Sequence, residues 1–371
     1  MKITIFGLSI TSAWGNGHAT TYRALTRALH DRGHDIVFFE HNVEWYASNR
    51  DLPEPEFCQV HIYENWKGLL PQARRVLRES DLAIVGSYFP HGIEAANEVF
   101  SSQAVSAFYD IDTPITAAQL RQGDAPYLKR EQVPEFDLYL SFTGGPMLQT
   151  LETDFGAQRA VPLYCSFDRE ECPQSPTPEA SACDLSYMGT YAGDRQQKLE
   201  ELFCAPARAL PQSKFMLAGA QYPRSVKWPR NVARTIHLSP QEHGAFYRSS
   251  NLTLNLTRGE MLRAGYSPSV RLFEAAGYGA AVVSDRWTGL ETFFTPEKEI
   301  LVADCTQDVI NYLKGYDRAE LQQIGRAAQE RVLAEHSSEH RASQLENYVQ
   351  LARSSRAMKN KAVTLTNEMV L

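Results

Sequence analysis

The sequence predicts an α/β protein made of two doubly wound parallel-sheet domains. Three observations carry that expectation. Short apolar runs of strand length alternate with helical patterns from the first residues onward. A polar, proline-rich, aperiodic stretch at 168–182 interrupts the alternation. A second series of the same kind follows it, in a chain of 371 residues that is long for one core. The expected division is a first domain at 1–167, a linker at 168–182, a second domain at 183–336 and a C-terminal segment at 337–371.

In the first domain, residues 2–6 form a strand signal, 7–17 a loop rich in Gly, Ser and Thr, 18–31 a helix closed by Gly33, and 35–39 the next strand. Further strands are expected at 82–85, 104–109 and 138–142, with helices at about 93–100 and after Pro146. In the second domain the expected strands are 185–188, 214–218, 251–256, 281–283 and 300–302. Long helical patterns fill about 306–352, and the tail from Arg353 onward shows no period and reads as loose. Two such domains have a natural binding place in the crevice between them, outside the C-terminal ends of the strands.

The bulk properties are those of an ordinary globular protein, with 43% hydrophobic and 22% charged residues. A net charge of −7 argues against a general nucleic-acid binder. The six cysteines are scattered, form no C-x-x-C pair and fit reduced thiols of a cytoplasmic protein. No secretory signal and no bilayer-spanning apolar run is read, so any membrane contact, including one by the basic stretch 353–361, is expected to be peripheral.

The most informative segment is 267–285. Ser267 reads as a helix N-cap, Pro268 as the first helical residue and Gly279 as the residue just past the helix end, before an apolar strand. Arg271 is the odd residue. A cation in a first helical turn opposes the macrodipole, and only a nearby anion makes that placement sensible. Free N–H groups, the positive dipole end and arginine together describe a phosphate site. Arg258 and Arg263 lie upstream, just after the strand ending near Thr257, and three arginines within 14 residues suit a diphosphate clamp. Ser269 belongs to the same helix start. Glu274 has two readings, an i, i+3 ion pair with Arg271 or a carboxylate for ribose hydroxyls. Gly189 and Thr190 form a βα turn that allows close approach to a ligand.

Four first-domain residues are candidates for chemistry. His91, at a strand end, is either a general base or a partly exposed surface histidine, and His18 has similar standing. Asp110 and Asp112 end another strand, and either is a candidate to activate an acceptor hydroxyl, ranked above a metal site. Asp112 also suits the turn before Pro114.

Several blocks resemble the CgeB-like glycosyltransferases of GT-B fold. They are 255–258, 264–276 and 284–290, together with 109–114, 141–145 and 189–195. The resemblance runs over nearly the whole chain. It implies two Rossmann-like domains facing each other across a cleft, a C-terminal one for a nucleotide-sugar and an N-terminal one for an acceptor. It adds Arg195 to the donor-binding set, matches Glu274 to a ribose-binding glutamate, and implies a last helix that crosses back to the first domain. It also implies transfer without a metal or other cofactor. Tyr266 stands where retaining enzymes often carry a second glutamate, which leaves the stereochemistry open. Two rivals remain: a nucleotide-sugar epimerase of the same architecture, and a non-catalytic nucleotide-sugar or glycan-binding protein.

Overall fold

The computed structural model describes residues 1–15, 17–171 and 182–368, with the side chains of the last helix described to 358. The chain divides into two compact units. Unit 1 comprises Met1–Ser12, His18–Tyr164 and Glu339–Leu371, and unit 2 comprises Ala13–Gly17 and Cys165–Ser338. Most of the expected linker, residues 172–181, lies outside the described residues, as do Asn16 of the first loop and the last three residues of the tail.

Among the described residues the strands of unit 1 form one all-parallel sheet. They are β1 (Lys2–Phe6), β2 (Asp35–His41), β3 (Gln59–Tyr63), β4 (Leu82–Gly86), β5 (Val105–Asp110), β6 (Leu138–Ser141) and β7 (Ala160–Pro162). Their order is β3-β2-β1-β4-β5-β6-β7, so the winding reverses between β1 and β4. The central strands β4 and β5 are buried along their whole length, which is why they read as continuous apolar runs.

Unit 2 repeats the plan with β8 (Cys183–Met188), β9 (Phe215–Ala218), β10 (Val232–Thr235), β11 (Ser250–Asn255), β12 (Val282–Asp285) and β13 (Leu301–Ala303). The order is β10-β9-β8-β11-β12-β13, again all parallel, and the reversal falls between β8 and β11. A separate apolar core fills each unit. The expected doubly wound class is therefore the observed one. β3, β7 and β10 were not expected. All three are short, and β3, β7 and β10 sit at sheet edges, where burial leaves a weak apolar signature.

Two local expectations are corrected. The key helix runs Val270–Gly277, so the N-cap is Ser269 and not Ser267. Ser267 is instead buried in the extended approach, ahead of Pro268. Gly279, at φ +78°, does stand just past the helix end. The tail is also not loose: one helix spans Ser338–Glu368. Tertiary contacts within unit 1 supply what the local pattern lacks. Arg32 and His34 meet Glu346, Arg353 meets Asp81, and Arg356 meets Asp137. Those ion pairs occupy Arg353 and Arg356, two of the four basic residues of the 353–361 stretch; the side chains of Lys359 and Lys361 lie outside the described residues.

Candidate functional site

The site in unit 2 grows from its switch point, where β8 and β11 end side by side. After β8 the chain turns at Gly189, whose N–H donates to Ala218 O (2.8 Å) and whose carbonyl accepts from the Tyr222 hydroxyl (2.9 Å). A Cβ on Gly189 would lie 2.9 Å from Arg271 Nη2, and one on Gly219 would lie 2.0 Å from Gly189 O. Only glycine permits this stacking of loop on loop.

The end of β11 is tied down by its neighbours. Asn255 is buried; its Oδ1 accepts from Ser269 Oγ (2.7 Å) and Arg271 Nη1 (3.4 Å), and its Nδ2 donates to Ser284 Oγ (2.9 Å). Buried Asp285, at the end of β12, accepts from Thr257 N (3.1 Å) and Thr257 Oγ1 (2.9 Å), which sets the direction of Arg258. Because Ser269 gives its hydroxyl to Asn255, no side chain caps the Val270–Gly277 helix. Leu272 N donates to Ser269 O (3.1 Å), and the helix's positive dipole end stays open to an anion.

Three arginines gather here. Arg271 lies over the Tyr187 ring, 5.1 Å from its centroid. Arg195 donates from Nη2 to Thr190 O (2.8 Å), while its buried Nε has no partner among the described residues. Burial lowers the Arg195 pKa, and the charges of Arg271 and Arg258 push it the same way, so the three cations feel one another. Among the described residues no carboxylate pairs with Arg195 or Arg271; Asp194 stands 3.8 Å from Arg258 Nε and is shared with Gly259 N. Three like charges with one carboxylate, Asp194, beside them leave a net positive potential. Arg263 is not part of this group. Its side chain is exposed and paired with Glu260.

Glu274 does not make the ion pair with Arg271. Its carboxylate, nearly buried, accepts from His243 Nδ1 (2.7 Å) and the Tyr247 hydroxyl (3.1 Å). Burial opposes charge on the His243 ring, but Glu274, the Leu238 carbonyl and Glu171 outweigh it and raise the pKa. His243, Tyr247, Asn255 and Asp285 were missed as site residues. Asn255 lies three residues before Arg258 in the sequence, but His243 and Tyr247 come from a different helix, Pro240–Arg248, and no local signal joins them to Glu274.

The switch point of unit 1 is filled differently. Tyr22, fully buried, projects over the ends of β1 and β4. A Cβ on Gly86 would lie 1.8 Å from its hydroxyl, and one on Gly7 would lie 2.3 Å from the Phe38 ring and 3.1 Å from Tyr22 Cζ. The glycines here admit aromatic rings, not a phosphate. Asp110 is fully buried and accepts from Tyr139 Oη (2.6 Å), Thr116 Oγ1 (2.8 Å) and Asp112 N (3.3 Å); burial pushes its pKa up to about 7. Asp112 is partly exposed and precedes the Thr113–Gln122 helix without a side-chain capping bond. It lies near enough to His18 to favour that ring's charged form, against the burial that lowers the His18 pKa. The His18 ring meets Tyr88 edge-on at 5.4 Å, and Tyr88 holds a left-handed backbone at φ +63°. Such strain in a non-glycine residue tends to mark functional positions. His91 is engaged elsewhere: its Nδ1 shares a hydrogen bond with Tyr63 Oη (2.8 Å) and its ring stacks on Trp66 (5.5 Å). Among the described residues no group of three or more His, Cys, Asp or Glu could hold a metal ion, and no helix is long and apolar enough to cross a membrane.

Residues 195–347 match the family described as glycosyl transferase-like. No curated protein matches the sequence. Solved structures do resemble the whole chain. An alpha-glucosyltransferase in complex with UDP-glucose and DNA containing an abasic site has a TM-score of 0.70 at 13% identity, covering 94% of this chain and 99% of its own. A sucrose-phosphate synthase from Thermosynechococcus elongatus scores 0.66 at 13% identity, with 96% and 100% covered. HepE from Anabaena, in complex with UDP and glucose, scores 0.66 at 14% identity, with 94% and 99% covered. The chain therefore has the GT-B fold of two Rossmann-like units, and its second half is similar to a glycosyl transferase-like domain.

Proposed function

We propose that the chain is a glycosyltransferase that takes a sugar from a nucleoside-diphosphate donor held in unit 2. The observation that carries this is the meeting of Arg195 and Arg271 at the Gly189–Thr190 turn, with Arg258 near enough for its charge to act on Arg195, beside an uncapped helix N-terminus. Transfer breaks the bond between the anomeric carbon and the diphosphate oxygen, and the electron pair leaves on that oxygen. The arginines and the helix dipole stabilise the charge as it develops, the work a metal ion does elsewhere. Glu274 receives the ribose hydroxyls. The bound UDP of the similar structures makes UDP-sugars the first donors to try.

Unit 1 supplies the acceptor side of the reading. The acceptor hydroxyl forms the new bond to the anomeric carbon and yields its proton to a base. His18 with Asp112 ranks first for that role, because burial favours the neutral form of the His18 imidazole, which lies near a carboxylate and beside the strained Tyr88. Asp110 is locked by three donors and His91 by Tyr63 and Trp66, so both rank lower.

The test is product analysis by mass spectrometry after incubation with nucleotide-sugars and a panel of acceptors. A new glycoside is the expected result. An isomerised donor would favour the epimerase, and stable binding with no turnover the binding protein. No thermal stabilisation by any of UDP, GDP, ADP, CDP or TDP would remove the donor site itself.

A further inference from the structure

Glu274 is a carboxylate in a pocket otherwise built for an anion. It shares a short helix with Arg271, and left uncompensated it would repel the donor phosphates. Its two oxygens are met by His243 Nδ1 and the Tyr247 hydroxyl. The His243 ring also meets the carbonyl of Leu238. Both of these ring partners are acceptors, an arrangement that suits the doubly protonated imidazolium.

We propose that His243 is the positioning residue of the donor pocket: its imidazolium orients Glu274 toward the ribose and cancels the carboxylate charge beside the diphosphate. The proposal rests on the donor reading above. With the pair neutral, the arginine cluster meets the phosphates undiminished. A neutral imidazole would leave Glu274 as a net negative charge in the pocket.

The charged and titratable groups around His243 come from three segments. Glu274 faces it from the Val270–Gly277 helix, and Tyr278 follows at that helix's end. Glu171 acts from the Arg169–Glu171 turn and accepts from Tyr278 Oη (3.0 Å). Tyr247 and Glu242 share its own helix, and His237 acts with it on Glu242. Arg271 bears on the same group through Tyr247. The tyrosines are pushed above their ordinary range by burial, while Glu274, the Leu238 carbonyl and Glu171 raise the His243 pKa against burial. Nucleotide affinity should then fall as pH rises through the imidazole pKa. If bound diphosphate raises that pKa by one unit, the fall is about tenfold.

The experiment is calorimetric titration, between about pH 7 and 9.5, with whichever of UDP, GDP, ADP, CDP and TDP stabilises the wild type most. Wild type and His243→Gln are compared, since glutamine keeps a donor for Glu274 and loses the charge. The expected result is a wild-type affinity that falls about tenfold with pH, and a variant that binds weakly with no such slope. A direct readout needs no variant: the His243 imidazole titration followed by NMR should move to higher pH when the nucleotide binds. A flat wild-type curve, a variant with the wild-type slope, or an unmoved imidazole overturns the proposal while nucleotide binding stands. Failure of all five nucleotides to bind removes the donor reading and the proposal together.

Discussion

Replacing Arg271 by alanine should separate binding from folding. On the folding side, the guanidinium gives a stacked contact with Tyr187 and a long hydrogen bond to Asn255, and no ion pair. The stacking is worth about 0.5–1 kcal/mol at a partly exposed position. Removing the side chain also relieves like-charge repulsion with Arg195. The net change in stability should therefore be under about 1 kcal/mol, a melting shift of roughly 3 °C at most. On the ligand side, charge-assisted hydrogen bonds to a diphosphate are worth about 1.5–3 kcal/mol. That is roughly a ten- to hundredfold loss of nucleotide affinity. Calorimetric titration with UDP and the other nucleoside diphosphates measures the loss, and thermal unfolding checks the fold. Arg263→Ala is the control, because Arg263 is exposed and already paired with Glu260. Nucleotide affinity kept within about twofold in Arg271→Ala, or lost equally in Arg263→Ala, would refute the clamp.

Other expectations concern unit 1. Tyr22→Phe removes a buried hydroxyl that has no partner among the described residues, so the melting temperature should hold or rise by an amount matching about 1 kcal/mol. Glu346 is held down to about 2 by hydrogen bonds from Arg32, helped by His34, against an ordinary value of 4.5. Its contribution is present above 4.5 and is lost as pH falls toward 2, so Glu346→Gln should flatten the acid limb of the stability curve. The full drop is worth at most about 3 kcal/mol, less after discounting for solvent at a site open on one side. Asp110 works in the opposite sense, with burial raising its carboxyl to about 7. Its stabilising, protonated form is complete below the ordinary carboxylate range and is lost as pH rises to about 7. The melting difference between wild type and Asp110→Asn should change between those limits and level off above them; a difference constant with pH would show Asp110 ionised throughout.

Where the sequence was legible, periodicity and glycine placement did the informing. The central strands β4, β5, β8 and β11 are buried on both faces and carry enough apolar residues to stand out. Edge strand β10 has three exposed residues of four and carries no such mark. The helix start at Val270 was read two residues early because a hydroxyl followed by proline satisfies local capping rules at Ser267. The choice of Ser269 depends on Asn255, a residue 14 positions away. Arg271 was legible because a cation in a first turn violates a local preference. Arg263 looked equivalent by proximity, but the 259–264 helix turns it to solvent. His243 was invisible because the residue it serves lies on another helix, and charge pairing across helices leaves no periodic trace.

The two switch points show why one strand order does not give one function. In both units the reversal opens a gap at the C-terminal ends of two neighbouring strands, and glycines line it. In unit 1 those glycines face Tyr22 and Phe38, whose rings occupy the space and bring no charge. In unit 2 they face Arg271 and the turn that Arg195 braces, and the ring present there, Tyr187, lies beneath a guanidinium. A nucleotide diphosphate needs an open end and positive charge at the same place, and among the described residues the second gap brings arginines where the first brings aromatic rings. That contrast in what fills each gap is a reason, separate from any likeness to another protein, for proposing the donor site in unit 2. Unit 1 keeps its polar groups at Asp112, after β5, and at His18, in the first turn of the Gly17–Asp31 helix that follows β1, the pair proposed above to meet an acceptor hydroxyl.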